Sequence, residues 1–383
     1  MDTGTRTRIR ALLREDIDWT SLLRIATRHQ LAPLIGFNLC TTFADACPAT
    51  VIDEFRSCMR EITARNLFLA RELIRLLEVF ESRAIPVIPF KGPLLASTAY
   101  GHLGLRAFCD LDVLVDRIRE YRVHVPEVLR SDGWTMIGDN GYECTFANAS
   151  GDIHLDVHHA LTPQRLMPLR LNFGDIWRRC TNVAFIGTTA RTPAPPDLLI
   201  MLCVQLAKDT GDERMSPRLI KVCDIAQLID RHADLDWPLS LREARRLGAL
   251  RMLFVGVGAA RKLFGTALPN DVLQRCQAIP RFDSLVSHVE ERVFFGRVGR
   301  FSRPELLSRA TWHAETRERA LDRSSLRSLV HRVIVPINLD YAFVKLPATL
   351  FPLYFAVKPV RLARNLCRTI IGKVQARRAG GTR

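Results

Sequence analysis

Residues 86–115 constrain the fold of this chain most. They run as a short apolar segment, then Lys91-Gly92-Pro93, then Arg106 and the hexapeptide Asp110-Leu111-Asp112-Val113-Leu114-Val115. The pattern predicts strand, tight turn, short helix, strand. Side chains alternate faces along a strand, so Asp110 and Asp112 point one way while Leu111, Val113 and Val115 point the other, toward a core. Carboxylates crowded on one strand repel unless a cation lies between them. A divalent ion with hard oxygen ligands answers that need, Mg²⁺ first and Mn²⁺ as the alternative.

The turn has its own chemistry. Pro93 suits the first turn of a helix, where its missing N–H costs nothing. The start of that helix presents free backbone N–H groups, which attract anions. Gly92 lets a phosphate come close to the backbone, and Lys91 reads as an exposed turn lysine that adds a point charge. Arg106 is placed either to pair with a carboxylate or to reach phosphate.

A second strand pair comes later in the chain. Residues 142–147 and 153–158 read as a hairpin across 148–152. In the second arm His154, Asp156 and His158 share a face opposite Ile153, Leu155 and Val157. Asp156 thus stands on its strand as Asp112 does on the earlier one. The His-x-Asp-x-His-His spacing fits no standard zinc motif, and His158 is read as a support for the acids and not as a ligand.

A length of 383 residues corresponds to roughly two or three domains at about 150 residues each. The net charge of +15 favours anionic partners: nucleotides, nucleic acid or an anionic membrane surface. The ten cysteines are scattered, with no Cys-x-x-Cys pair, and the polar N-terminus has no signal-peptide core. No stretch reaches the roughly 18 apolar residues of a membrane span. These features describe a cytoplasmic protein with free thiols, with a peripheral place at the inner face of the membrane left open.

Elsewhere the periodicity is helical. Two short helices are expected over 6–40, with His29 at a helix end and no chemistry of its own. A long helix is expected over 49–82, with Leu69, Leu73, Leu76 and Phe80 on its buried stripe and arginines such as Arg56 and Arg75 on a solvated face. A helix is expected over 120–129, with Pro126 marking a kink or a late start, and one more strand over 184–192. Asp197 is expected to cap a helix, and Asp224 either to lie on the surface of a later one, the commoner case, or to approach the active cleft. The tail 344–383 has no acid and nine basic residues, preceded in part by the apolar run 346–357. It reads either as a contact for anionic lipid or RNA, or as an apolar segment with a basic end.

Taken together, "IPVIPFKGPLLASTAY", "LRAFCDLDVLV", "HLDVHHAL", "PPDLLIML" and "VCDIAQLI" resemble the nucleotidyltransferase superfamily of the DNA polymerase β type. Within it the chain most resembles the bacterial group called the uncharacterised nucleotidyltransferase family, over about residues 18–264. The resemblance implies an α+β fold: a small mixed-sheet, polymerase β-like core at 84–192, flanked by an N-terminal helical region at 1–83 and a helical domain at 193–332, with the tail at 333–383. It implies a nucleoside triphosphate as donor, an acceptor hydroxyl of unknown kind, and two Mg²⁺ ions. Asp110, Asp112 and Asp156 resemble the metal ligands and catalytic carboxylates, and Lys91 and Gly92 resemble the phosphate loop, with Arg106 beside them as a further nucleotide contact. Lys91-Gly92 replaces the superfamily's usual Gly-Ser, and Gln205 stands where members of the group often have histidine. Two other readings remain: a catalytically degenerate nucleotide-binding or regulatory protein, and a membrane- or RNA-associated factor acting through its basic tail.

Overall fold

The computed structural model describes residues 3–116, 124–163, 167, 169–212 and 216–296, with Trp312, Glu315, Thr316 and Val360. The chain divides into two units, Met1–Glu318 and Arg319–Arg383, and the sheet and the helices packed on it belong to the first. The expectations for the basic tail lie outside the described residues. Among the described residues no helix is long and apolar enough to cross a membrane.

The N-terminal region holds three helices where two are expected: α1 (Thr3–Leu12), α2 (Trp19–Arg28) and α3 (Ala32–Thr42). Asp18 explains the extra break. Its side chain accepts a hydrogen bond from the Ser21 N–H and starts α2 afresh. α4 (Ala49–Ser82) then runs 34 residues, about 51 Å. Its Leu69, Leu73, Leu76 and Phe80 are fully buried, as the periodicity predicts. Arg56 is exposed, but Arg75 is not simply solvated: it grips Glu72 and Asp132.

β1 (Val87–Pro89), α5 (Gly92–Tyr100), β2 (Asp110–Val115), α6 (Val125–Ser131), β3 (Thr135–Asp139), β4 (Glu143–Ala147) and β5 (His154–His158) form the core. Pro126 lies in the first described turn of α6, and residues 117–123, where the expected helix would begin, lie outside the described residues. The five strands order as β1-β2-β5-β4-β3. Only the β2–β5 pair is parallel, so the sheet is mixed. Leu111, Val113, Val115, Leu155 and Val157 pack with the buried stripe of α4 in one hydrophobic cluster.

α7 (Phe173–Arg179) leads to β6 (Thr181–Phe185) and β7 (Thr188–Thr192). The single strand expected at 184–192 is a hairpin, because Ile186 and Gly187 both take positive φ, 45° and 77°, and make a two-residue turn. Among the described residues from 195 to 296 the elements are helices: α8 (Pro195–Thr210), α9 (Ile220–Arg231), α10 (Trp237–Leu247), α11 (Leu250–Phe264), α12 (Asn270–Gln277) and α13 (Phe282–Phe295). Asp197 does not cap α8. Two prolines fill the first positions, and Asp197 one turn in takes both guanidinium nitrogens of Arg179 at 2.7 Å. Ile88, Phe90 and Leu114 join the helical residues of α8, α9 and α11 in a second cluster. The sheet therefore has α4 on one face and the helical layer on the other, an α+β fold with helices flanking a small mixed sheet.

Candidate active site

The parallel pairing of β2 and β5 builds the site. Its register sets Asp112 opposite Asp156 and Asp110 opposite His154. The alternation that buries Leu111 and Val113 completely therefore turns Asp110, Asp112 and Asp156 to the other side of the sheet. Burial, then the charge of Asp112, pushes the Asp110 carboxyl above its usual range. The same two causes push Asp156 up to about 6, against a 2.6 Å hydrogen bond donated by the Thr145 hydroxyl. Burial alone would also raise Asp112, but the charge of Lys91 and the hydrogen bond with His158 hold it well below the usual range.

Lys91 is thus not an exposed turn lysine. Its side chain is nearly buried, its Nζ is 3.2 Å from Asp112 Oδ1 and 5.1 Å from the centre of the Phe90 ring. Gly92 is needed where it stands. Its φ is +55°, and a Cβ there would sit 3.2 Å from the Asp110 carbonyl oxygen. His158 Nε2 lies 3.1 Å from the same Asp112 Oδ1, and its Nδ1 lies 3.3 Å from Glu143 Oε2. Donor atoms of Asp112, Asp156 and His158 all lie within 4.8 Å of one another. Asp110 is not part of that tight group, although it shares a strand face with Asp112.

Asp110, Asp112 and Lys91 line a cavity of about 840 Å³ that residues of α9 and the end of α2 also line. Lys221 and Arg218 bring positive charge to that wall. Asp209 sits at its base, where Lys221 and then Lys208 hold its carboxyl low against the effect of burial. Gln205 lines the cavity, with its Nε2 3.4 Å from the Leu161 carbonyl oxygen. His29 ends α2 as expected, and its Nδ1 accepts from the Leu219 N–H at 3.2 Å, pinning the segment that leads into α9.

Residues 15–265 match the family described as uncharacterised nucleotidyltransferase. The chain belongs to that family. Among solved structures it is similar to an antigenic nucleotidyltransferase-like protein from Paracoccidioides brasiliensis, 13% identical, with 60% of this chain and 92% of that one covered and a TM-score of 0.30. No curated protein matches the chain.

In this family member the two options for Arg106 resolve toward the carboxylate. Its Nε and Nη2 donate to Asp224 at 2.7 and 2.8 Å, and the Tyr100 hydroxyl donates to the same carboxylate at 2.7 Å. Two of its three guanidinium nitrogens are taken by this carboxylate, and Arg106 also borders the cavity. Asp224 is correspondingly not a surface residue of α9 but is 2% exposed. The group fixes α9 against the loop that feeds β2. Sequence reasoning also missed Lys208, Asp209 and Lys221. The available signal was a Lys-Asp pair at the end of an otherwise apolar helix, which only the position of α9 turns into part of a site.

These contacts make two predictions. Asp224→Ala leaves the Arg106 guanidinium buried without its carboxylate and is expected to cost about 3–5 kcal/mol. Tyr100→Phe removes one hydrogen bond to a charged group and is expected to cost about 1.5–3 kcal/mol. Denaturant midpoints with equal slopes measure both, and the reverse order would contradict the assignment. Second, folded Asp156 keeps its proton up to about 6, whereas an unfolded aspartate releases it near about 4. The folded chain holds the extra proton between those limits, so this group makes stability fall as pH rises through that window. Asp156→Asn in metal-free buffer should gain on the parent over the same window, and a pH-independent difference would contradict the shift.

Proposed function

We propose that the protein is a metal-dependent nucleotidyltransferase that moves a nucleoside monophosphate from a nucleoside triphosphate to an acceptor hydroxyl. The observation that carries this is the pairing of Asp112 with Asp156 across parallel strands, with Asp110 on the same face as Asp112. A divalent ion fits these residues: hard carboxylate oxygens, two of the three acids with raised proton affinity, and the Lys91 ammonium already drawn to Asp112. Asp110, Asp112 and Asp156 would hold the metal, with two Mg²⁺ as the first choice and Mn²⁺ as the alternative. When bound, such ions neutralise charge on the attacking and leaving oxygens of a phosphoryl transfer.

The chain's own groups supply the rest. In the reaction the acceptor oxygen bonds to the α-phosphorus, the bond from that phosphorus to the pyrophosphate oxygen breaks, and pyrophosphate leaves. Asp156 would take the hydroxyl proton as general base. Lys91 neutralises Asp112 in the absence of an ion, and its ammonium becomes available to phosphate once an ion takes that role. Gly92 and the first N–H groups of α5 face the same need. Lys221 and Arg218 add positive charge across the cavity. In this reading residues 84–192 form the catalytic core and the helices from 193 onward supply the opposite wall.

The test is incubation of the purified protein with each labelled nucleoside triphosphate, a divalent ion and cell extract, with identification of what becomes labelled. Label transfer with release of pyrophosphate is expected. Asp156→Asn should slow it by about 10²–10⁴-fold, the range for a general base. An Asp156→Asn protein as active as the parent would remove that residue from the chemistry.

A further inference from the structure

The acids on β2 and β5 have a nitrogen neighbour that carries no role in the proposed transfer. His158 follows Asp156 by two residues on β5, so both side chains rise from one face of the strand. Its ring is 2% exposed, which rules out a role as a solvated surface histidine. Its Nε2 stands 3.1 Å from Asp112 Oδ1. Ligand atoms at about 2.1 Å from one octahedral ion stand about 3 Å apart when adjacent, so this pair already has the spacing of two neighbouring ligands.

The other side of the ring is equally specific. Glu143 pairs with His158 across β4 and β5, and its Oε2 lies 3.3 Å from Nδ1. The Glu143 carboxylate is itself anchored by the Asn140 side-chain amide at 2.8 Å. Phe90 packs edge-on against the ring, with centroids 5.3 Å apart. Nδ1 makes no hydrogen bond among the described residues, so Glu143 stands beside the ring as a charge within reach of that nitrogen. When a carboxylate accepts from one nitrogen of a metal-bound histidine it fixes the ring and makes the other nitrogen the better donor.

We propose that His158 Nε2 is a direct ligand to the ion shared by Asp112 and Asp156, and that this mixed nitrogen–oxygen site takes a first-row transition ion, Mn²⁺, in preference to Mg²⁺. Imidazole favours transition ions, whereas carboxylate and water alone suit Mg²⁺. Mn²⁺ is the member of the series that also accepts hard oxygen ligands. Glu143 is the positioning residue for this ligand. The inference rests on the metal-dependent transferase reading and changes the identity of one of its ions.

The experiment titrates Mn²⁺ into the full chain, with Mg²⁺ as competitor, and records pulsed electron paramagnetic resonance on the bound ion. The parent is expected to show modulation from a coordinated ¹⁴N and to bind Mn²⁺ at least about tenfold more tightly than Mg²⁺. His158→Gln should lose the modulation and most of the preference. Glu143→Gln should keep the modulation but weaken Mn²⁺ binding by about 10–100-fold. Bound Mn²⁺ without nitrogen modulation in the parent would overturn this inference alone and leave an all-carboxylate site. Modulation that persists in His158→Gln would overturn it by assigning the nitrogen elsewhere. A parent that binds neither ion, with or without nucleoside triphosphate, would overturn both this inference and the metal-dependent reading. Absence of nitrogen modulation in the parent overturns the inference even where a variant fails to fold.

Discussion

Repulsion among carboxylates held side by side at low dielectric is the constraint on which the rest of this structure depends. The parallel register of β2 and β5 fixes Asp112 against Asp156, and alternation along β2 adds Asp110. The chain cannot turn them away without exposing Leu111, Val113, Leu155 and Val157, all completely buried. Burying such a side chain is worth about 1.5–3 kcal/mol, so the apolar face wins and the acids stay together. Lys91 meets that charge at one oxygen of Asp112, where His158 Nε2 also lies within hydrogen-bond distance, while Asp110 and Asp156 hold their protons more tightly than usual.

Around that centre, buried ion pairs set where the helical layer stands. Arg106 with Asp224 ties α9 to the approach of β2, and Arg179 with Asp197 ties α7 to the first turn of α8. Buried pairs of this kind contribute little net stability, because desolvation offsets attraction. Their effect here is positional. They put the α9 residue Lys221 and, just before the helix, Arg218 across the cavity from Asp110 and Asp112. A wall of that charge is what a polyphosphate needs, and it comes from a part of the chain far from the acids in sequence.

The elements that hold the acids were legible in the sequence because their signals are local. Alternation over Asp110–Val115 gives β2 outright, and the two arms around 148–152 give the β4–β5 hairpin. What the sequence could not supply is which strand lies beside which. The β2–β5 pairing brings His158 to Asp112, and nothing near either residue announces it. Lys91 misled for the same reason: a lysine before Gly-Pro looks exposed until the partner strand puts Asp112 under it. Asp224 looked like a surface carboxylate because its own helix shows only one apolar stripe, whereas Tyr100 and Arg106 approach from another element. The hairpin at 181–192 was hidden by Ile186, a β-branched residue that rarely takes the positive φ found there.

The central claim is that the acids on β2 and β5 stay crowded in order to share a cation with a nucleotide. Calorimetric titration of a non-hydrolysable nucleoside triphosphate into the protein, in parallel with divalent ion and with chelator, tests it most directly. The account predicts binding that depends on the ion and that is lost in Asp112→Asn, the variant at the carboxylate that touches both Lys91 and His158. Equal nucleotide affinity with chelator and with metal, unchanged in that variant, would contradict it.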